Sequence, residues 1–295
     1  MDRLFDLLLI TGIKGIGKKT VHKKYLNAIK RSKDTEDLIS NYIPKIKPIP
    51  RTEIENSVEQ TKKKIEEIRN ASDVEAITIF DSRYPKKLLA LGSSAPLILY
   101  VRGNREALYN NSVAVVGTRK PSAHSEKVEQ NLVSKIIELD STRTIISGLA
   151  KGCDEIAHRT ALQNNGITVA VLPSGVKNII STQNRNLAED IVVNKGCLLS
   201  EYSIYADATR GSFIERDWLI AALADTTVVM ECGVKSGTMH TVHKAAELQK
   251  QIACYWPNDF SKGSYDGNVY MIEKMAAKPL GSTEQLKRLL SIMST

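Results

Sequence analysis

Four short stretches of this 295-residue chain gather small, flexible residues, some of them beside a cation, in a way that suits an anion. They are Gly117-Thr118-Arg119, Ser147-Gly148-Leu149-Ala150-Lys151-Gly152, Pro173-Ser174-Gly175 and Glu231-Cys232-Gly233. The last runs on through Val234-Lys235-Ser236-Gly237-Thr238. Glycine lets a ligand approach the main chain, and a helix starting at such a turn offers unpaired N–H groups and the positive end of its dipole. Tight turns favour Gly and Ser on structural grounds alone, so one such stretch says little. Four in one chain, with basic residues among them, point to a rim that holds phosphates.

Other constellations are weaker. The segment Gly12-Ile13-Lys14-Gly15-Ile16-Gly17-Lys18-Lys19-Thr20 approaches a P-loop, but Lys19 stands where a magnesium-binding Ser or Thr is needed. Leu8, Ile10, Ile13, Gly15, Ile16 and Gly17 instead suit a helix-hairpin-helix, whose backbone N–H groups can meet nucleic-acid phosphates. No G-x-G-x-x-G is present, so no dinucleotide cofactor is expected. His240 and His243 share a helical face but have no third ligand, so no metal is expected either. Asp154, His158 and Ser147 could be imagined as a hydrolytic triad, yet no G-x-S-x-G surrounds a serine. Asp154 is more simply a cap or dipole partner at a helix start. The cysteines, Cys153, Cys197, Cys232 and Cys254, are 44, 35 and 22 residues apart and form no C-x-x-C pair. They read as reduced core thiols.

The elements that must position these residues follow from hydrophobic pattern. Short β-branched runs occur at Ile77–Phe80, Leu97–Val101, Val113–Val116, Thr144–Ile146, Thr168–Leu172, Thr227–Met230 and Ile252–Tyr255. Between them lie helical stripes: Val128, Leu132 and Ile136; Ile156, Ala157 and Ala161; Met239, Val242 and Ala246. Doubly apolar strands alternating with helices predict an α/β fold, a Rossmann-like doubly wound, mostly parallel sheet. In such a sheet ligands bind beyond the carboxyl ends of the strands, where the four stretches fall. Residues 1–72 read as a small helical domain with a proline-marked break at Pro44, Pro48 and Pro50. Residues 73–295 hold the sheet and end on a short helix from Thr283 to Met293.

Charge sharpens the picture. The formal net charge is +8, and residues 1–70 carry 16 basic against 10 acidic side chains, leaving only +2 for the rest. Polyanions are therefore plausible partners. No run approaches 18 apolar residues and the N-terminus is not a convincing signal peptide, so no membrane is expected and the cytoplasm is the expected address.

The ordered motifs resemble the DNA-processing protein A (Smf) family. They are Tyr84-Pro85-x-x-Leu88; Pro96-Leu97-Ile98-Leu99-Tyr100-x-x-Gly103; Val115-Val116-Gly117-Thr118-Arg119-x-x-Ser122; and Ile146-Ser147-Gly148-Leu149-Ala150-x-Gly152-x-Asp154-x-x-Ala157-His158-x-x-Ala161-Leu162. Ser200-Glu201-Tyr202, Phe213-x-x-Arg216 and Glu231-x-x-x-Lys235-Ser236-Gly237-Thr238-x-x-Thr241 follow. The resemblance covers about residues 80–285. It implies a dimeric, non-enzymatic protein that binds single-stranded DNA and loads the RecA recombinase during DNA uptake and recombination. It points, with the loop pattern, to Gly117, Thr118, Arg119, Ser122, Ser147, Gly148, Lys151, Gly175, Asn184, Arg216, Lys235, Ser236, Gly237 and Thr238 as phosphate contacts. Asp154, His158 and Glu231 are expected to be structural.

The chain also departs from the family pattern. Arg216-Asp217-Trp218 replaces Arg-Asn-Arg, Gly175 to Ser181 replaces Gly-x-x-x-Tyr-Pro, and no winged-helix tail is expected. The alternative reading is a nucleotide-binding sensor or a phosphoribohydrolase of the lonely guy type. It rests on Glu231 and Ser236-Gly237-Thr238, without the Pro-Gly-Gly that such enzymes carry.

Overall fold

The computed structural model describes residues 3–180 and 182–291. Its centre is one sheet of nine strands in the order β1-β2-β6-β5-β4-β3-β7-β8-β9. The strands are β1 (Val74–Thr78), β2 (Ile98–Gly103), β3 (Ser112–Val116), β4 (Thr144–Ser147), β5 (Ile167–Val171), β6 (Cys197–Ser200), β7 (Thr226–Val229), β8 (Gln251–Tyr255) and β9 (Lys278–Leu280). The pairs from β6 to β9 are parallel; β2 is antiparallel to both β6 and β1. The mostly parallel, doubly wound sheet is therefore present, with two antiparallel pairings that periodicity did not reveal.

Among the described residues, the uninterrupted α-helices of nine or more residues are α1 (Leu4–Gly12), α2 (Arg51–Asn70), α3 (Ala123–Leu139), α4 (Cys153–Gln163), α5 (Arg185–Val193), α6 (Arg210–Leu223), α7 (Thr238–Glu247), α8 (Asp266–Met275) and α9 (Thr283–Ser291). Residues 292 and 293 of the last expected stripe lie outside the described residues, as does Ser181. Side chains alternate across the pleat. Ala114, Val116, Ile146, Val171 and Val229 face α6 and α7, whose Leu219, Ala222, Met239 and Val242 cover them. Val113, Val115, Ile145 and Val228 face α3, α4 and α9. Burial on both faces explains why these strands read as continuous apolar runs.

Several boundaries differ from the sequence pattern for local reasons. The first strand occupies Val74–Thr78, because Phe80 enters a turn in which the Asp81 carboxylate accepts from the Arg83 N–H. β6 is short and carries two leucines rather than β-branched residues, and β9 contains Pro279, which a sheet edge tolerates. On α7 the buried face holds Met239, Val242 and Ala245, while Ala246 is exposed.

The first seventy residues are helical. α1 turns through Gly15 (φ 77°) into a second helix that runs from Lys18 to Arg31 through a π-helical stretch. Among the described residues no strand precedes Gly12, so the P-loop geometry is absent from this segment. The helical core of Leu7, Ile10, Val21, Tyr25 and Ile29 joins the sheet residues Ile98, Tyr100 and Leu198, and Leu172 just past β5, in one apolar cluster. All four cysteines are buried free thiols.

Candidate functional site at the strand exits

The loops leaving β3, β4, β5 and β7 lie along one edge of the sheet and enclose two cavities. The first, of about 730 Å³, is lined by Gly117, Thr118, Arg119, Asp154, Arg210, Phe213, Arg216, Asp217, Ser236, Gly237, Thr238, His240 and Thr241, with a few apolar neighbours. The second, of about 390 Å³, is more apolar. Leu149, Leu172, Pro173, Ile179 and Ile180 line it, with Gly148, Lys151 and Lys120 at its cationic side. Arg119, Phe213 and Arg216 belong to both. The Arg119 guanidinium lies over the Phe213 ring at 5.9 Å, so the wall between the cavities is a cation on an aromatic face.

The loops are tied by main-chain and carboxylate bonds. The Thr118 N–H donates to the Glu231 carbonyl at 2.8 Å, and the Thr238 hydroxyl donates to the Gly117 carbonyl at 2.9 Å. The Glu231 carboxylate accepts from the N–H and hydroxyl of Ser122, each at 2.9 Å, and from the Ser264 N–H at 2.9 Å. Burial alone pushes this carboxyl up, but the N–H groups of Ser264 and Ser122 and nearby hydroxyls hold it below the usual value. Glu231 is thus a charged brace between loops, with Ser122 committed to it. Ser122 also caps α3.

Beneath the rim sits an unusual buried cation. Arg216 is 5 % exposed and donates to the carbonyls of Gly148 and Val171. Its guanidinium lies 3.9 Å from Asp154, and its Nε lies 2.9 Å from Asp217 without a directed hydrogen bond. A Cβ at position 148 would come within 1.7 Å of the guanidinium, so only glycine permits this approach. Asp154, in the first turn of α4, accepts from the N–H groups of Gly148 and Ala150 at 3.2 and 3.3 Å. Burial raises its pKa against the pull of Arg216. Burial likewise raises Asp217 to about 6, with Arg216 opposing.

The imagined triad is not assembled. The Ser147 hydroxyl donates to the Val115 carbonyl at 2.7 Å, and His158 Nδ1 pairs with the Thr168 hydroxyl at 2.7 Å. Burial drives His158 down to about 3, so it is neutral and structural. Among the described residues, no three His, Cys, Asp or Glu side chains gather in a metal-binding group.

Of the residues expected to touch phosphate, Gly117, Thr118, Arg119, Gly148, Lys151, Arg216, Ser236, Gly237 and Thr238 line the two cavities. Ser122, Ser147, Gly175, Asn184 and Lys235 do not. Gly175 packs on the Ser203–Ile204 backbone, which a Cβ would meet at 2.2 Å, and Asn184 is buried, donating to the Leu149 carbonyl at 3.0 Å. Lys235 is exposed on the loop beside the first cavity. Arg210, Phe213, Asp217 and His240 were missing from the expected set. Arg210, Phe213 and Asp217 recur at helical spacing, and a reciprocal cap between Thr209 and Ser212 fixes the start of α6 that carries them. That spacing around Phe213-x-x-Arg216 was the available signal.

The N-terminal turn has fewer open donors than its sequence suggested. The N–H groups of Ile13, Lys14 and Ile16 go to Ile10, Glu53 and Ile13. Lys18 is held by Glu201 at 2.5 Å and Glu215 at 3.5 Å.

Residues 75–291 match the model of the DNA recombination-mediator protein A family. The chain belongs to that family. It is 34% identical over 202 residues to DNA processing protein DprA of Streptococcus pneumoniae, covering 68% of this chain and 69% of that protein. To protein Smf of Synechocystis it is 36% identical over 179 residues, 60% of this chain. The matched stretch spans 44% of the Synechocystis protein and 50% of Smf from Escherichia coli. The fold superposes on the crystal structure of the S. pneumoniae protein with a TM-score of 0.69 at 24% identity, covering 97% of this chain and 93% of that one. A second family structure, from Helicobacter pylori, gives a TM-score of 0.65 at 27% identity, covering 74% and 95%. That protein is described for a single-stranded DNA binding mode.

Proposed function

We propose that this chain binds single-stranded DNA along its strand exits and acts as a recombination mediator without chemistry of its own. The carrying observation is the shared wall of the two cavities, where exposed Arg119 lies over Phe213 between helix starts at α4 and α7. Lys151, Lys120 and Arg210 add exposed cations around it. Phosphates rest on N–H groups and cations there, and the apolar second cavity accepts a base face without reading its edge. Cytoplasmic action, dimerisation and delivery of the strand to a RecA recombinase belong to the same proposal and rest on family membership. The phosphoribohydrolase reading draws less support, because Glu231 is engaged by Ser122 and Ser264 and does not line either cavity.

Anisotropy titrations of single-stranded, duplex and mononucleotide ligands across salt test this. Single strands should bind best, with log affinity falling as log salt rises. Arg119→Ala and Lys235→Ala should each weaken binding across sequences and flatten the slope by about 0.7 for each phosphate left without its cation. Equal affinity for duplex, or slopes unchanged in both variants, rejects the proposed path.

A further inference from the structure

Among the described residues, Phe213 is the one Phe, Tyr or Trp side chain that lines the two cavities. The next strand exit is the opposite. β8 ends at Tyr255, and the loop beyond it folds Phe260 and Tyr265 back onto Tyr255 and Trp256. Phe260 meets Trp256 edge-on at 4.8 Å between centroids and Tyr265 at 6.1 Å; Tyr265 meets Tyr255 at 5.9 Å. Tyr265 is buried beneath the group, whereas Phe260 keeps 40 % of its surface exposed. The group is anchored from three sides. The Trp256 N–H donates to the Leu280 carbonyl at 2.8 Å, Tyr265 shares a 2.7 Å hydrogen bond with Ser125, and Asp259 caps the following turn through Ser261.

This cluster adjoins the phosphate rim through the same carboxylate that braces it. Glu231 binds Ser122 on one side and Ser264, the neighbour of Tyr265, on the other. A Cβ at Gly263 would come within 2.8 Å of Tyr265 and 2.9 Å of the Glu231 carboxylate, so a bulkier residue would push the aromatic loop off the brace. The Val234 N–H donates to Asp266 at 3.3 Å, which ties the loop carrying exposed Lys235 to the start of α8 beside the rings. Asp266 is itself occupied by that bond and by Ser264.

We propose that Trp256 and Phe260 form a base-stacking platform that extends the single-strand path past the β7 exit, with Lys235 contacting a phosphate between cavity and rings. This rests on the reading of the rim as a single-strand interface. Every unpaired base has a π face, so the platform binds without sequence preference. It also assigns Lys235 a place, which the cavities alone do not.

The test uses the full chain carrying Trp218→Phe, in which Trp256 is the sole tryptophan. It is titrated with a thymidylate oligomer of about 20 nucleotides, long enough for more than one site of this kind, and with an abasic deoxyribose-phosphate oligomer of equal length. Anisotropy and Trp256 emission are read together. The thymidylate should quench Trp256 and the abasic oligomer should not. Phe260→Ala should lower thymidylate affinity about tenfold with the salt slope unchanged, and leave abasic affinity alone. Phe260→Leu, which keeps the apolar packing but loses the π face, should behave like Phe260→Ala. Binding by anisotropy with unquenched Trp256, or wild-type affinity in Phe260→Leu, overturns the platform and leaves the rim standing. Absence of binding by anisotropy to either oligomer removes the underlying interface and the platform with it.

Discussion

At Asp217 the first cavity carries an acid among cations. Burial lifts its pKa from 3.8 to about 6, against the pull of Arg216. An acid raised in this way costs the folded state nothing below its ordinary value and its full penalty above the raised one. Between pH 4 and pH 7 the stability of Asp217→Asn relative to wild type should therefore rise, by up to about 3 kcal/mol for a two-unit shift. Melting temperatures at the two ends measure this. The same titration adds negative charge where a phosphate would sit. Single-strand affinity should therefore fall as pH rises through about 6 in the wild type, and fall less in Asp217→Asn. Matching pH profiles in the two proteins would show that Asp217 does not face the bound strand.

At the scale of elements, α3 shows how a helix can pack well and still contain a costly residue. Its Val133, Ile136 and Ile137 press on the sheet, yet Glu129 on the same buried face is fully enclosed beside Cys153. Among the described residues the neighbouring Cys153 thiol is near enough to interact with the carboxyl, but neither oxygen makes a well-formed hydrogen bond, and burial pushes its pKa well above 4.5. A neutral acid in an apolar setting contributes nothing that a methionine would not, while its ionisation opposes folding. Glu129→Met should stabilise the protein by at least about 1 kcal/mol near neutral pH, roughly 2–4 °C in Tm. The gain should shrink as pH is lowered towards 4.5, where the wild-type carboxyl is neutral in the folded state and increasingly so in the unfolded one. A variant less stable than wild type at pH 7 would mean that Glu129 has a charged partner when ionised.

At the scale of the whole molecule, the division near residue 72 is a proposal whose consequence lies in the shared apolar cluster. Leu7, Ile10 and Ile29 belong to the same cluster as Leu97, Ile98, Tyr100 and Leu172. A chain starting at residue 73 should keep its sheet, because the other two clusters contain no residue from the helical segment. It should nevertheless melt at a lower temperature and associate through the uncovered face. Calorimetry and size-exclusion chromatography compare it with the full chain. An unchanged Tm and a monodisperse truncated protein would show the helical segment to be a separate domain that merely leans on the sheet. The charge of +6 in residues 1–70 should add affinity for polyanions without building the groove.

The alternation of apolar runs and amphipathic stripes was enough to specify helices covering both faces of a mostly parallel sheet, because burial on each face is written locally in period 2 and period 3.6. The Gly- and Ser-rich exits with Arg119, Lys151 and Lys235 were legible for the same reason, since each exit follows directly from its strand. Pairing direction at β1 and β2, and the short β6, were not, because strand order is set by contacts between residues far apart in the chain. The same distance hid the fate of individual side chains. Arg216 reads as a surface phosphate contact, but the fold draws it inward to the carbonyls of Gly148 and Val171, some 68 and 45 residues away. Glu231, Ser122 and Ser264 meet through a carboxylate that no spacing predicts. Sequence determined which elements form and where their ends carry charge; only tertiary packing decided which of those charges face solvent and which became internal braces.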